Sequence, residues 1–329
     1  MNQKTKILII RFSSIGDIVW TTPVIRCIKQ QLPNVELHFA VKAVFKDVVK
    51  ANPYIDNLHL LTKDNLNDLI KTWKTEGFDY VIDLHKNIRT TKIKWKLGVK
   101  SYTYTKLSLQ RFFFTRFQLK VMPDWHIVDR YMKTVEPLGV KNDGKGLDYY
   151  FLPEDEIAKD TLPLALQNGF DCFVIGGSSY TKLLPFNKMI ELCDKISKPI
   201  VLVGGKEDSE TGDKLAAYYQ QKALTHPKGS TPIIVNYAGK LTISQSAWMV
   251  KNAERVFGHD TGLTHIGAAF HETVYSIWGT TSPIGFKPYC KNPVIFENNN
   301  LNCRPCSKAG RDSCPKKHFK CMTDIEFNF

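Results

Sequence analysis

FGHDTGLTHIGAAFHETVYSIWGTTSP, residues Phe257 to Pro283, reads as a short strand, a polar turn and a helix of small residues. That succession is the repeating unit of a parallel sheet, where each strand must return through a crossover helix. Asp260, Thr261, Gly262 and His265 crowd the start of the helix. A helix start leaves backbone N–H groups unpaired and carries the positive end of the dipole, so it attracts a phosphate or diphosphate.

A second strand-to-helix turn, IRFSSIGD, runs from Ile10 to Asp17. Around it the spacing of apolar residues predicts strands over 7–10, 35–41, 58–61 and 78–84. It predicts helices over 18–32, 43–51 and 65–74, the last capped by Asp64. An irregular, glycine-bearing region from Lys141 to Pro153 marks a connection. The alternation resumes with strands over 172–175, 200–203, 233–236, 255–257 and 274–278, separated by helices over 186–196, 208–220, 243–252 and 261–270. The expected fold is α/β: two Rossmann-like, doubly wound parallel sheets over 1–155 and 156–329, facing one cleft.

A chain of 329 residues, 43% of them hydrophobic, has enough material for such cores. Its first apolar run, Ile7 to Ile10, is too short for a secretory signal, and no run nears the ~18 apolar residues of a membrane span. A cytoplasmic protein is expected. The net charge of +13 is uneven: ten Lys and Arg residues stand between Lys86 and Lys120 with no Asp or Glu, interleaved with Trp95, Tyr102, Tyr104, Phe112, Phe113, Phe114 and Phe117. Such a tract suits an anionic lipid surface, a phosphorylated glycolipid or a nucleic-acid backbone, or is a solvated face with its aromatics turned inward.

Ligands of open α/β sheets bind beyond the carboxyl ends of the strands. The turns there are Gly176–Ser179, Gly204–Asp208, Gly258–Gly262 and Gly279–Pro283, and none matches a dinucleotide fingerprint or a Walker loop. A dehydrogenase or P-loop NTPase is disfavoured. The turns supply what a nucleotide diphosphate-sugar needs: backbone donors and Thr261 for the diphosphate, Lys182 for its charge and Glu207 for ribose hydroxyls. Taken singly, Asp260 reads as a helix cap, His265 as a helix histidine and Lys182 as a surface lysine; the combination gives the specificity. Asp17 sits where a carboxylate accepts the proton of an attacking hydroxyl, or where one simply opens a helix.

Four of the eight cysteines, Cys303, Cys306, Cys314 and Cys321, fall close together. In a reducing compartment they read as a structural zinc site, or as free thiols or a labile disulfide. Cys27, Cys172 and Cys193 lie in apolar contexts and read as core residues.

ILIIRFSSIGDIVWTTP at Ile7 to Pro23, GHDTGLTHIGAA at Gly258 to Ala269 and WGTTSP at Trp278 to Pro283 together resemble the ADP-heptose:lipopolysaccharide heptosyltransferases, glycosyltransferase family nine. The resemblance runs from Lys6 to about Met322. It implies a GT-B fold and a metal-independent, inverting transfer from a nucleotide-activated heptose to the inner core of a lipid A-linked acceptor, at the inner face of the cytoplasmic membrane. By position, Asp17 matches the general base and Lys182 the donor-phosphate lysine. Asp260, Thr261, Gly262 and His265 match the diphosphate-sugar loop, and Glu207 the ribose contact, with Asp208 its rival. Lys86, Asn87 and Arg89 match the acceptor segment. The resemblance includes a similar cysteine-rich segment, and it implies no cofactor, no catalytic metal and no nucleic-acid partner.

The alternatives are a GT-B transferase of another nucleotide-sugar, a nucleotide-sugar epimerase, and a non-catalytic protein that binds anionic lipid or nucleic acid. An epimerase would need acid and base groups around the sugar rather than a basic tract. A nucleic-acid binder would leave the glycine turns without a purpose.

Overall fold

The computed structural model describes residues 4–225 and 231–329, and the chain divides into two compact α/β units. One comprises Met1–Leu107 and Trp125–Tyr150, the other Ser108–Asp124 and Phe151–Phe329. The main division lies near the expected residue 155, but the split is not contiguous, because Ser108–Asp124 joins the second unit. Arg111 holds it there: its Nη2 donates to Lys308 O at 2.9 Å and its guanidinium lies 4.4 Å from the Phe286 ring centre.

The first unit is built on five parallel strands, β1 (Thr5–Ile10), β2 (Val35–Lys42), β3 (Asn57–Leu61), β4 (Tyr80–Asp83) and β5 (Lys100–Thr103), in the order β3-β2-β1-β4-β5. Helices α1 (Ile15–Val19), α2 (Thr22–Gln31), α3 (Leu66–Glu76) and α4 (Ile88–Leu97) follow its strands; α5 (Ser108–Phe117) lies in the excursion to the other unit, and α6 (Ile127–Met132) returns. Ile7 to Ile10 are buried on both faces, as a central parallel strand requires. Leu8, Ile10, Phe12, Trp73 and Val81 form its core.

The expected helix over 18–32 is two helices. Pro23 stands in the first turn of α2, where its missing N–H costs nothing but the chain cannot run through unbroken. The Thr21 and Thr22 hydroxyls donate to Ile18 O (2.6 Å) and Val19 O (2.8 Å), carbonyls near the end of α1. The expected helix over 43–51 is a shorter 3-10 helix, Ala43–Val48. Asn65, not Asp64, precedes α3, and its side chain turns back to bond Thr62 N and Leu60 O.

The second unit has six parallel strands, β6 (Asp171–Val174), β7 (Ile200–Val203), β8 (Ile234–Asn236), β9 (Val256–His259), β10 (Thr273–Trp278) and β11 (Asn292–Glu297), ordered β11-β10-β9-β6-β7-β8. Its helices are α7 (Leu164–Gln167), α8 (Phe186–Asp194), α9 (Ser209–Thr225), α10 (Ile243–Asn252), α11 (Gly262–Gly267) and α12 (Lys320–Thr323). In each sheet the order reverses beside its first strand, between β1 and β4 and between β6 and β9. These switch points are where an open α/β sheet leaves a crevice for ligand.

Candidate active site

At the first switch point β1 runs into Arg11 and then Asp17. Asp17 is the third residue of α1, and its Oδ2 accepts from Ser14 Oγ at 2.9 Å and from Ser14 N at 3.3 Å. Oδ1 lies 2.7 Å from Arg11 Nη2, and a quarter of the side chain remains exposed. Burial resists the charge on Asp17, but the Arg11 guanidinium and the Ser14 bonds outweigh it and hold the carboxyl below its usual range. Arg11 is itself fixed by donating to Ser13 O (2.6 Å), Leu84 O (2.6 Å) and Tyr131 Oη (2.9 Å). Asp17 is therefore an ionised, aimed carboxylate.

At the end of β4, Asp83 is fully buried: Oδ1 accepts from His85 N (3.0 Å) and Lys86 N (2.8 Å), while Lys94 Nζ lies 2.9 Å from Oδ2. It shapes the turn rather than meeting solvent. Asn87 caps α4, its Oδ1 accepting from Thr90 N at 2.9 Å. Lys86 and Arg89 are exposed beside it. Of the expected acceptor residues, these two are the cations free to reach an anion.

The second unit assembles a tighter cluster. Lys182 Nζ lies 2.7 Å from Asp260 Oδ2 and donates to Asp260 O at 3.0 Å, with 11% of its side chain exposed. It is not an ordinary surface lysine. Thr281 Oγ1 donates to Asp260 Oδ2 at 2.9 Å, and His265 Nε2 lies 3.4 Å from Oδ1. Burial opposes the Asp260 charge, but Lys182 and His265 reverse that effect and hold the carboxyl well below the usual range. Asp260 thus joins the turns after β9 and β10 to the lysine following β6. Thr261 is extended and precedes α11 at Gly262; its hydroxyl makes no capping bond. The helix is shorter than the expected 261–270.

The turns approach closely because of two glycines. A Cβ on Gly176 would stand 2.6 Å from Asp208 Oδ2, and one on Gly258 would stand 2.2 Å from Thr264 Oγ1. Asp208 is buried, and its Oδ2 accepts from Gly205 N at 2.8 Å. It is committed to the turn after β7. Glu207 beside it is exposed, which leaves Glu207 as the carboxylate with reach.

Sequence reading passed over His259, the last residue of β9. Fully buried, it accepts from Leu184 N at Nε2 (3.0 Å), so its proton sits on Nδ1, 3.3 Å from Gly176 O. Burial pushes its pKa down from 6.5 to about 4. The sign follows: between those values the unfolded chain takes up a proton that the folded chain refuses, so stability falls as pH drops through this window. His259 should account for up to about 3 kcal/mol. Urea unfolding from pH 7 to 4 should show a shallower pH slope for His259→Gln than for the parent; equal slopes would remove His259 as the cause.

Arg304 ties the cysteine segment to the same turns, donating to Gly279 O, Trp278 O, Thr281 O and Asn298 O and pairing with Glu297 at 2.8 Å. All eight cysteines are free thiols. Among the described residues, no three of Cys303, Cys306, Cys314 and Cys321 bring their sulfurs within 4.8 Å of one another, although burial and the neighbouring Cys306, Cys314 and Cys303 push the Cys321 thiol up to about 12. Each is engaged locally. Cys306 Sγ lies 2.9 Å from Thr280 Oγ1 and Cys303 Sγ 3.8 Å from His318 Nε2, while Cys321 is buried in the core with Cys314 packed against it. Among the described residues, the group with metal-like spacing is Glu36, His38 and Glu76, but Lys6 Nζ already stands 3.0 Å from Glu76 and 4.0 Å from Glu36.

Two doubly wound parallel sheets, each with polar turns at its switch point, are the architecture of the GT-B fold. The model of glycosyltransferase family 9 (heptosyltransferase) matches residues 66–317, and the chain belongs to that family. It is similar to lipopolysaccharide heptosyltransferase 3 of Escherichia coli K12, 24% identical over 320 residues, covering 88% of this chain and 87% of that one. Among solved structures, a glycosyltransferase family 9 protein from Veillonella parvula aligns with TM-score 0.70 at 19% identity, over 91% of this chain and 88% of the other. The Escherichia coli ADP-heptose lipopolysaccharide heptosyltransferase II aligns with TM-score 0.69 at 15% identity, over 97% and 98%. Among the described residues no helix is long and apolar enough to cross a membrane.

Proposed function

We propose that this glycosyltransferase moves a heptose from ADP-heptose to the inner core of a lipid A-linked acceptor, working against the inner face of the cytoplasmic membrane. The observation that carries the donor half is the Lys182–Asp260–Thr281 cluster at the second switch point, an immobilised cation paired with the residue that precedes Thr261, whose hydroxyl makes no capping bond. The sugar and acceptor rest on the relatives, whose names give lipopolysaccharide heptosyltransferase and ADP-heptose.

In this reading Asp17 takes the proton of the acceptor hydroxyl as its oxygen bonds to the anomeric carbon. The bond from that carbon to the diphosphate breaks, and ADP leaves with the electron pair. Lys182, Thr261 and the N–H groups at Gly262 meet the departing charge, so the reaction needs no metal to stabilise it. Asp260 and His265 orient Lys182 rather than touch the diphosphate, Glu207 takes the ribose hydroxyls, and Lys86, Asn87 and Arg89 hold the anionic acceptor.

Mass spectrometry of reactions offered ADP-heptose and the common UDP- and GDP-sugars, with truncated lipopolysaccharide acceptors, tests this. A product heavier by one heptose, from ADP-heptose alone, is expected. Transfer from a UDP- or GDP-sugar would replace the donor, and an epimerised free sugar formed without acceptor would replace the reaction.

A further inference from the structure

Helix α5 and the chain after it as far as Asp124 contain no buried residue. One edge is anchored to the second unit: Arg111 reaches Lys308 O, Gln118 Nε2 reaches Pro305 O at 3.4 Å, and Phe114 and Met122 line a cavity of about 640 Å³ with Leu301 and Pro305. The opposite edge exposes Leu109, Phe112, Phe113, Phe117, Leu119 and Val121, Leu109 to 65% and Phe117 to 54%. The three phenylalanine rings pack on one another with centres 5.6 to 6.1 Å apart. Two cations flank them: Arg116 lies 5.9 Å from the Phe117 ring and Lys308 5.8 Å from the Phe112 ring. No acidic residue occurs from Lys86 to Lys120.

An apolar patch of this size left in water implies a cover. A second copy would bring two acid-free basic patches together on chains of net charge +13, which Coulomb repulsion opposes. Nucleic acid would need flat rings on which bases stack. Here Phe112 stands edge-on to both Phe113 and Phe117, and half of the exposed apolar residues are aliphatic. Acyl chains accept all six, and lipid phosphates accept the flanking cations.

We propose that the face from Leu109 to Val121 seats the chain on an anionic bilayer, its ring tips at the boundary of headgroups and acyl chains and Arg116 and Lys308 on the phosphates. The proposal rests on the membrane-acceptor reading for its purpose, but the binding itself requires neither donor nor acceptor. The full chain should float with phosphatidylcholine vesicles containing one third phosphatidylglycerol. The triple variant F112A/F113A/F117A should bind them roughly tenfold more weakly or worse, keep its thermal midpoint, and transfer normally to a deacylated, soluble acceptor. Phe113→Trp should add a fluorescence signal that brominated lipid quenches. Flotation of the triple variant like the parent, equal parental binding to pure phosphatidylcholine, or an unquenched Trp at 113 would overturn the proposal. So would a parental dimer, or oligonucleotide binding, that the triple variant alone loses. Flotation that depends on the three rings, in a chain showing no glycosyl transfer, would support the docking face and remove the acceptor reading.

Discussion

Asp17→Asn is expected to lower kcat by roughly 10²- to 10⁴-fold, the range for a removed general base, while leaving donor affinity nearly unchanged. Asn fills the same space and keeps an oxygen for Ser14, but it cannot take a proton. The depressed pKa of Asp17 makes it a weak base, which at first argues against the role. The sugar carbon resolves this: with an oxocarbenium-like transition state, the acceptor oxygen becomes acidic only as its bond to carbon forms, so a weak, well-placed base suffices late in the step. The pH profile carries the sign. Rate should be lost only as pH falls below the ordinary carboxylate value of 3.8, because the paired carboxylate stays ionised down to its lowered pKa. An acid limb nearer neutrality that persists in Asp17→Asn belongs to another group. Retained turnover in that variant would remove Asp17 from the role.

The buried strands were legible because parallel strands covered on both faces read as apolar runs, as Ile7 to Ile10 and Ile200 to Val203 do. Both strands missed in the sequence lie at sheet edges. The segment of β5, KSYT, is polar and begins with a lysine, and β11 contains Pro293, which a central strand would exclude but an edge strand accommodates. The turns bearing Asp17, Lys182 and Asp260 were visible as polar residues after strands. Their partners were not. Arg11, His259, Thr281 and Arg304 acquire meaning from bonds to residues far away in sequence, such as Arg11 to Leu84 O and His259 to Leu184 N. Local spacing carries no trace of such contacts. The assignment of Ser108–Asp124 to the second unit was hidden for the same reason, since it rests on distant contacts such as those of Arg111 with Lys308 and Phe286 and of Gln118 with Pro305.

Lys182→Ala should cause two losses that a second substitution separates. The first is structural. Lys182 and Asp260 are 11% and 13% exposed, and deleting the cation strands a buried carboxylate, which typically costs about 3–5 kcal/mol. Without Lys182, the burial that now opposes the Asp260 charge gains ground, so the carboxyl should move up from its depressed value and the variant should be most destabilised near neutral pH. Lys182→Ala/Asp260→Asn removes the stranded charge and should recover most of the stability. The second loss is functional and should remain: with no cation to meet the diphosphate, donor affinity and kcat should both stay down, by about 10² or more overall. Urea unfolding and calorimetric titration with ADP read the two effects independently. If the double variant regains donor affinity along with stability, Lys182 serves only to neutralise Asp260, and the diphosphate must find its positive charge elsewhere in the second unit.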